Sequence, residues 1–529
     1  MCSYESLTRI LDFSRRARHS QSSIFLAPFF TKKKVLEKSF VEFCLGPESS
    51  LEFSSIQMEH SDYRASYIPT TFVPAPQKDW IMCFRAPRIE GPPARRMRHR
   101  RSAELSGDEL TIVQKGTTMT ITNGDKDVVS ALKVIDHMRR NSVKEVVFNK
   151  CCGKICTLLT VVLSTFQELE SLSIFMMFGR SESMEQIAYA LGVGLLMNPN
   201  IRKLEIGIAS FANYFSLSHH ASRSLSQGLA GNKTLRILHM DGCRFEEPES
   251  FSTFCKGLKS MTSLRHVRFE MFYEPNGSPL ADHNVAALAR SLEHCSKLQA
   301  LSLKGNKCLD FGMIAVASLL ERTPIKRLNI GDQKMDQNEY MNTYHLVKAL
   351  GNTTSLEVLD LRSNNLSTDY DMGNLAAALD NNTSVKRLNI SYNQIRSSAM
   401  NILSSRLASL EFLEELWMEG MFSLLDDEAC QNLANAMNEN QTIRLKCDPK
   451  LLHYETIQYY ADLNWAGRRF IEQCNTNRDA PPIPTSLWPL VLSRTNKLKE
   501  IREATIDAKE RQANIIFYCL QKGTAIFPI

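Results

Sequence analysis

Five residues have the types and spacing to act together. His239 and Asp241 lie two apart, and His266, Arg268 and Glu270 repeat that alternation further on. Residues two apart on a strand share a face, so each set would meet on one surface. Imidazole with carboxylate is a metal-binding donor set, but Arg268 puts a competing positive charge among the donors, and a solvated ion-pair patch is favoured over a metal centre. Cys151, Cys152 and Cys156 also cluster, yet no second ligand pair accompanies them, and they read as buried thiols. The chain has no Gly-x-x-x-x-Gly-Lys-Ser/Thr loop, no Gly-x-Ser-x-Gly elbow and no His-Glu-x-x-His helix. An enzyme reading therefore has no motif to rest on, and neither a catalytic residue, a cofactor, a metal nor a small-molecule substrate is expected.

The elements that must position these residues recur. Ser355-Leu-Glu-Val-Leu-Asp-Leu-Arg-Ser-Asn-Asn-Leu366 is echoed by Ser384-Val-Lys-Arg-Leu-Asn-Ile-Ser-Tyr-Asn-Gln-Ile395, with Leu356 and Val385 equivalent and 29 residues apart. Apolar residues fill the first, fourth and sixth places and Asn the ninth. The fourth and sixth places share one side of a strand and face a core, while the third, fifth and seventh face out. The Asn lies where the chain leaves the strand, and its amide can satisfy backbone groups that have no ladder partner. First places fall at Val143, Leu169, Ile201, Leu235, Leu264, Leu298, Ile325, Leu356, Val385 and Leu413, with a degenerate eleventh near Ile443. Between strands, stretches such as Val285–Leu292, Leu375–Leu379 and Leu433–Met437 place apolar residues at helical spacing. These helices stop at Gly231-Asn232, Gly351-Asn352 and Asn381-Asn382, residue types that tolerate the left-handed conformation of a helix end. Because a helix is about 10 Å wide and a strand about 4.8 Å, stacking such units curves the array and leaves a parallel sheet on the concave face.

Leu-x-x-Leu-x-Leu-x-x-Asn/Cys with a full helix per unit resembles the ribonuclease-inhibitor-like subfamily of leucine-rich repeat proteins. Asn306, Asn364, Asn393, Cys151 and Cys243 match the ninth place, whereas Met177, Ala209, Phe272, Gln333 and Met421 depart from it. The resemblance implies an α/β leucine-rich repeat solenoid (a horseshoe with a concave parallel β-sheet and convex helices) and a role in binding other proteins. Its extent sets the domain reading: 1–107 a basic, Pro/Ser-containing, largely disordered arm; 108–127 a capping hairpin; 128–447 the repeats; 448–529 a helical C-terminal cap. The tail elements Leu463-Asn-Trp-Ala-Gly-Arg468, Leu487-Trp-Pro-Leu-Val-Leu492 and Phe517-Tyr-Cys-Leu-Gln-Lys-Gly523 are similar to those of leucine-rich repeat proteins from unicellular algae. Covering the last repeat is the role expected of this tail, with Trp488 as an anchor.

Charge and composition narrow the function classes. The net charge is +6, and residues 1–107 hold 17 Lys or Arg against 11 Asp or Glu, so the whole excess lies in the arm. Eight of the 19 prolines also lie there, which with its Ser clusters and missing periodicity marks it as loosely structured. Arg15-Arg-Ala-Arg18 has the flavour of a weak transit signal, and Arg95, Arg96, Arg98, Arg100 and Arg101 form a block that reads as solvated linker or as a nuclear address. No apolar run is long enough for a membrane span, and no secretory leader order is seen, so an intracellular location, cytoplasmic or nuclear, is expected. The fourteen cysteines are scattered and read as reduced thiols.

The expected partner surface is the concave face. His239, His266 and Arg268 lie on it early; Lys304, Arg327, Asp360, Arg362, Arg387, Glu415, Trp417 and Glu419 follow, with Tyr392 at a turn. Both signs are present, which suits a folded protein partner better than a phosphate-binding groove. An outward Trp417 with no core to enter, diagonal to Arg387, reads as a binding anchor unless the C-terminal segment covers it. The leading expectation is a monomeric, non-enzymatic scaffold. The alternative, a regulator of Ran-type GTPases, is weakened because residues 495–529 hold six Lys or Arg and four Asp or Glu, not the acidic tail usual in such activators. Nucleic-acid binding through the basic arm is a third, weaker reading.

Overall fold

The protein is described here by a computed structural model. It defines residues 111–122, 140–151, 156–176, 181–208, 215–274, 278–333, 343–421 and 423–469, with the isolated positions Val134, His137, Met138 and Ile515. The arm with Arg15–Arg18 and its arginines Arg95, Arg96, Arg98, Arg100 and Arg101, Cys152, and the tail segments around Trp488 and Phe517 lie outside the described residues. No described helix is long and apolar enough to cross a membrane.

Strands β1 (Thr111–Lys115) and β2 (Thr118–Thr122) form an antiparallel hairpin turned at Gly116, whose φ is 63°. Strand β2 pairs in parallel with β3 (Glu145–Cys151), and a parallel ladder continues through β4 (Ser171–Met176), β5 (Lys203–Ile208), β7 (Ile237–Asp241) and β9 (His266–Glu270). It runs on through β10 (Ala300–Ser302), β11 (Arg327–Asn329), β12 (Val358–Asp360), β13 (Arg387–Asn389), β14 (Glu415–Met418) and β15 (Arg444–Cys447), giving one 13-stranded sheet. Two short strands, β6 (Phe215–Leu217) and β8 (Cys243–Phe245), pair with each other apart from it. Helices alternate with the main strands: α1 (Cys156–Thr165), α2 (Ser181–Met197), α3 (His219–Gly231), α4 (Pro248–Leu258), α5 (Asp282–Ser291), α6 (Asp310–Arg322), α7 (Tyr344–Asn352), α8 (Asp369–Asn381), α9 (Ser397–Leu407), α10 (Asp427–Glu439) and α11 (Tyr454–Ala466).

The core follows the repeat register. Every first-place residue from Val143 to Leu413 is buried, as are the fourth-place leucines Leu301, Leu328, Leu359 and Leu388 and the sixth-place Leu303, Ile330, Leu361 and Ile390. The registers pair fourth place with fourth place (Leu328 with Leu359, Leu359 with Leu388), so each leucine packs on its counterpart one strand away. Burying such a side chain stabilises by about 1.5–3 kcal/mol, which explains why the period survives where other places vary. The last repeat is one residue short: Ile443 takes the place of Val385 beneath the preceding Asn, yet Arg444 already pairs with Glu415.

Two amide ladders tie the repeats together. At the ninth place, Asn393 Nδ2 donates to the carbonyls of Leu361 (3.0 Å) and Ile390 (2.7 Å), and its Oδ1 accepts from the N–H groups of Asn364 (2.8 Å) and Leu366 (3.1 Å). Gln333, a departure from the pattern, does the same work with a longer arm, donating to Leu303 and Ile330 and accepting from Cys308 N. The second ladder lies below the strands and corrects the left-handed ending expected of the helices. Asn232 (φ −83°, ψ 118°) and Asn382 (φ −96°, ψ 122°) end α3 and α8 in extended backbone. Asn is used there for its side chain: Asn382 Oδ1 accepts from Ser384 N and Val385 N, and its Nδ2 donates to Leu350 and Thr353 of the preceding repeat.

The left-handed conformation appears instead at the eighth place. Gly242, Met271, Gly305, Asp332, Ser363, Tyr392 and Gly420, the eighth residues of consecutive repeats, all have φ between 51° and 80°. The chain must turn there from the sheet toward the helix, and only some of these places carry the glycine that turns most easily.

Candidate functional site: the concave sheet face

The outward residues form three rows across the strands, and their accessibility differs by row. In the middle row, at the fifth place, Ser302, Asn329, Asp360, Asn389 and Trp417 are all buried. The outward exposure expected of Asp360 and Trp417 is therefore corrected. Asn329, Asp360 and Asn389 each fold back to accept the N–H two residues on (Gly331, Arg362 and Ser391, at 3.0, 3.1 and 2.9 Å), which lays them flat on the sheet beneath longer neighbours. Asp360 is 0% exposed and its Oδ2 has no hydrogen-bond partner. Burial pushes its carboxyl from the ordinary 3.8 up to about 7, against the pull of Arg362. Trp417 is 8% exposed. Lys446 covers its ring, with Nζ 3.6 Å from the centroid, and Nε1 donates to Glu415 Oε2 at 3.2 Å. Among the described residues, the neighbouring strand β15 supplies that cover.

Ion pairs cross the face from repeat to repeat. Arg268 reaches Asp241 at 2.7 Å and Glu270 at 3.2 Å, while His239 Nδ1 pairs with Glu205 at 3.0 Å. The patch is an ion-pair cluster that water reaches in part: Arg268 is 39% exposed, whereas Glu270 is buried and Ser302 Oγ donates to it at 2.5 Å. Burial, with Glu270 and Glu205 nearby, pushes the Asp241 carboxyl up despite Arg268. Glu205 goes the other way. Burial opposes its ionisation, but hydrogen bonds from His239, Lys203 and Ser173 outweigh it and hold the carboxyl well below the usual range. His266, the remaining member of the sequence set, is pushed down by burial and by the charges of Arg327, His239 and Arg265. Among the described residues no group of three His, Cys, Asp or Glu has metal-binding geometry.

Further along, Asp332 stands between Lys304 (2.9 Å) and Arg362 (3.2 Å) from the repeats on either side, and these two charges overcome burial to keep its carboxyl low. Arg387 pairs loosely with Glu415 at 3.7 Å and is 46% exposed. Glu419 takes Tyr392 N on its carbonyl and gives its own N–H to Ser391 Oγ. Tyr392 is 48% exposed, and its ring lies where a Cβ on Gly420 would come within 2.5 Å. Sequence reasoning missed Glu205, Asp332 and Lys446. Glu205 is at the fifth place of its repeat, where extending the outward pattern one repeat back would have found it; Lys446 faces out only because its repeat is one residue short, and Asp332 stands at an eighth place, beyond the period-two pattern. It also missed Phe311, Tyr344 and Tyr370, exposed at the first turns of α6, α7 and α8.

A family model described as Leucine Rich repeat matches residues 381–400, the span from the Asn382 ladder through β13 to Asn393 and the start of α9. The fold is a leucine-rich repeat solenoid. Leucine-rich repeat-containing protein 73 of Rattus norvegicus and that of Homo sapiens are each 27% identical over 231 residues, 44% of this chain and 70% of theirs. Among solved structures, the leucine-rich repeat-containing protein LegL7 from Legionella pneumophila is 16% identical with a TM-score of 0.32, covering 65% of this chain and 96% of that one. Leiomodin-1 Actin-Binding Site 2 is 18% identical with a TM-score of 0.23, over 26% of this chain and 80% of that one. Leucine-rich repeat proteins generally act in protein–protein interaction.

Proposed function

We propose that this protein is a non-enzymatic interaction scaffold that takes a protein partner on the concave face of its sheet. The reading is carried by Tyr392, a half-exposed aromatic held by a left-handed backbone and by the close approach of Gly420. An aromatic that is already immobile loses little entropy on binding, and Tyr and Arg are enriched among residues that dominate interfaces. Around it the alternation of Lys304, Asp332, Arg362, Arg387 and Glu415 offers both signs. This suits a folded partner carrying complementary charges. Trp417 supports the surface from beneath.

The test is to capture partners with the full chain, identify one by mass spectrometry, and measure its binding to purified variants. Tyr392→Ala is expected to weaken binding by about tenfold, with an unchanged melting temperature. Arg387→Ala is expected to slow association at low salt and leave dissociation nearly unchanged. A partner bound equally by wild type and Tyr392→Ala would place the interface elsewhere.

A further inference from the structure

The turns that lead from each helix into the next strand stack along one edge of the sheet, and over repeats three to seven that edge is basic. Segments 198–203, 231–236, 256–266, 290–299 and 321–327 hold twelve Lys or Arg and two Glu. The equivalent segments of the next repeats, 350–358, 379–387 and 406–415, hold three Lys or Arg and five Asp or Glu. Cations are favourable near any helix C-terminus, but that general preference would act on all these turns alike. The excess is local, so it needs its own explanation.

Backbone hydrogen bonds align part of this charge into a row. Arg236 N donates to Arg202 O (2.8 Å), Arg265 N to Arg236 O (2.7 Å), Gln299 N to Arg265 O (2.7 Å) and Lys326 N to Gln299 O (2.8 Å). These second-place residues are therefore neighbours at strand spacing, four cations and one amide over about 20 Å. The end members have acids of their own, Arg202 with Glu170 and Lys326 with Glu357. Arg236 and Arg265 between them are exposed, and no described acid lies within ion-pairing distance of either. Arg290 and Lys297, in the same turns, are likewise exposed and unpaired among the described residues.

The chemistry of the missing counter-charge follows from what the edge lacks. None of the five segments contains Phe, Tyr or Trp, so there is no platform on which bases could stack. Guanidinium groups without stacking partners match carboxylates through paired hydrogen bonds. We propose that the edge formed by Arg236, Arg265, Arg290 and Lys297 binds an Asp/Glu-rich polypeptide segment of a partner. About six extended residues span the row. This surface is separate from Tyr392 and Arg387 and does not rest on the concave-face reading.

The test uses the full chain and a fluorescein-labelled ten-residue oligoglutamate, followed by anisotropy at low and physiological salt. Binding that weakens with salt is expected, together with a loss of at least tenfold in Arg236→Glu/Arg265→Glu and none in Arg223→Glu, an exposed charge reversal on α3. Both arginines are exposed, and Arg236→Gln/Arg265→Gln, which removes charge without adding any, is expected to lie between wild type and the reversal. The proposal is overturned if the oligoglutamate does not bind, or if the double reversal keeps its affinity, as it would were the basic N-terminal arm responsible. It is equally overturned if an oligonucleotide of the same charge competes more strongly than the unlabelled peptide.

Discussion

Asp360 illustrates how a single side chain on this face is governed by its surroundings. Its folded carboxyl titrates at about 7 against 3.8 ordinarily, because burial penalises the charge. Between about pH 4 and pH 7 the folded state therefore holds a proton that the unfolded chain has released, and stability falls as pH rises through that window. Asp360→Asn removes the titration and leaves the side-chain oxygen that accepts Arg362 N. Neighbours Asn329 and Asn389 already have this form at the same place. In urea unfolding the variant is expected to gain on the order of 1–3 kcal/mol at pH 8 and to match the parent near pH 4. A pH-independent difference would show that Asp360 is ionised in the folded state at both values.

At the scale of the element, strand and helix ends are held by amides more than by backbone conformation. Asn393 touches its own turn and the preceding one through five hydrogen bonds, all buried. Asn393→Ala leaves those backbone groups unpaired away from water, with an expected cost of about 2–3 kcal/mol. Asn393→Gln should recover part of it, because Gln333 shows that the longer amide can span the same groups. Equal destabilisation by Ala and Gln in denaturant titrations would mean that the turn at Asn393, unlike that at Gln333, has no room for the added methylene.

Across the whole solenoid, stability passes between neighbours. Leu359 is fully buried between Leu328 and Leu388, so Leu359→Ala is expected to destabilise by about 2–5 kcal/mol. Each repeat contacts chiefly those beside it, so hydrogen-exchange protection should fall in β11 and β13 as well as β12. Protection lost in β12 alone would indicate that the repeats open independently.

The repeat itself was legible in the sequence. Apolar places every 26 to 34 residues can be buried together only if the units stack, and the registers and burial follow that spacing from Val143 to Leu413. The cysteines Cys243, Cys255, Cys295, Cys308 and Cys430 are free, buried thiols, as their apolar places imply. The concave face was legible only in part, because a period of two says which side of a strand a residue takes but not how much water reaches it. Asp360 and Trp417 are on the expected side and yet buried, one by folding back on its own strand and the other under Lys446 from the next. Likewise Asn382 was recognisable as a helix stop, but that it works through its amide rather than through a left-handed backbone depends on carbonyls 29 and 32 residues earlier in the chain. Periodicity thus determined the core and the stacking order, since both depend on residue type at fixed intervals. Which outward side chains meet water, a partner or one another was decided by the lateral contacts that exist only once the repeats are stacked.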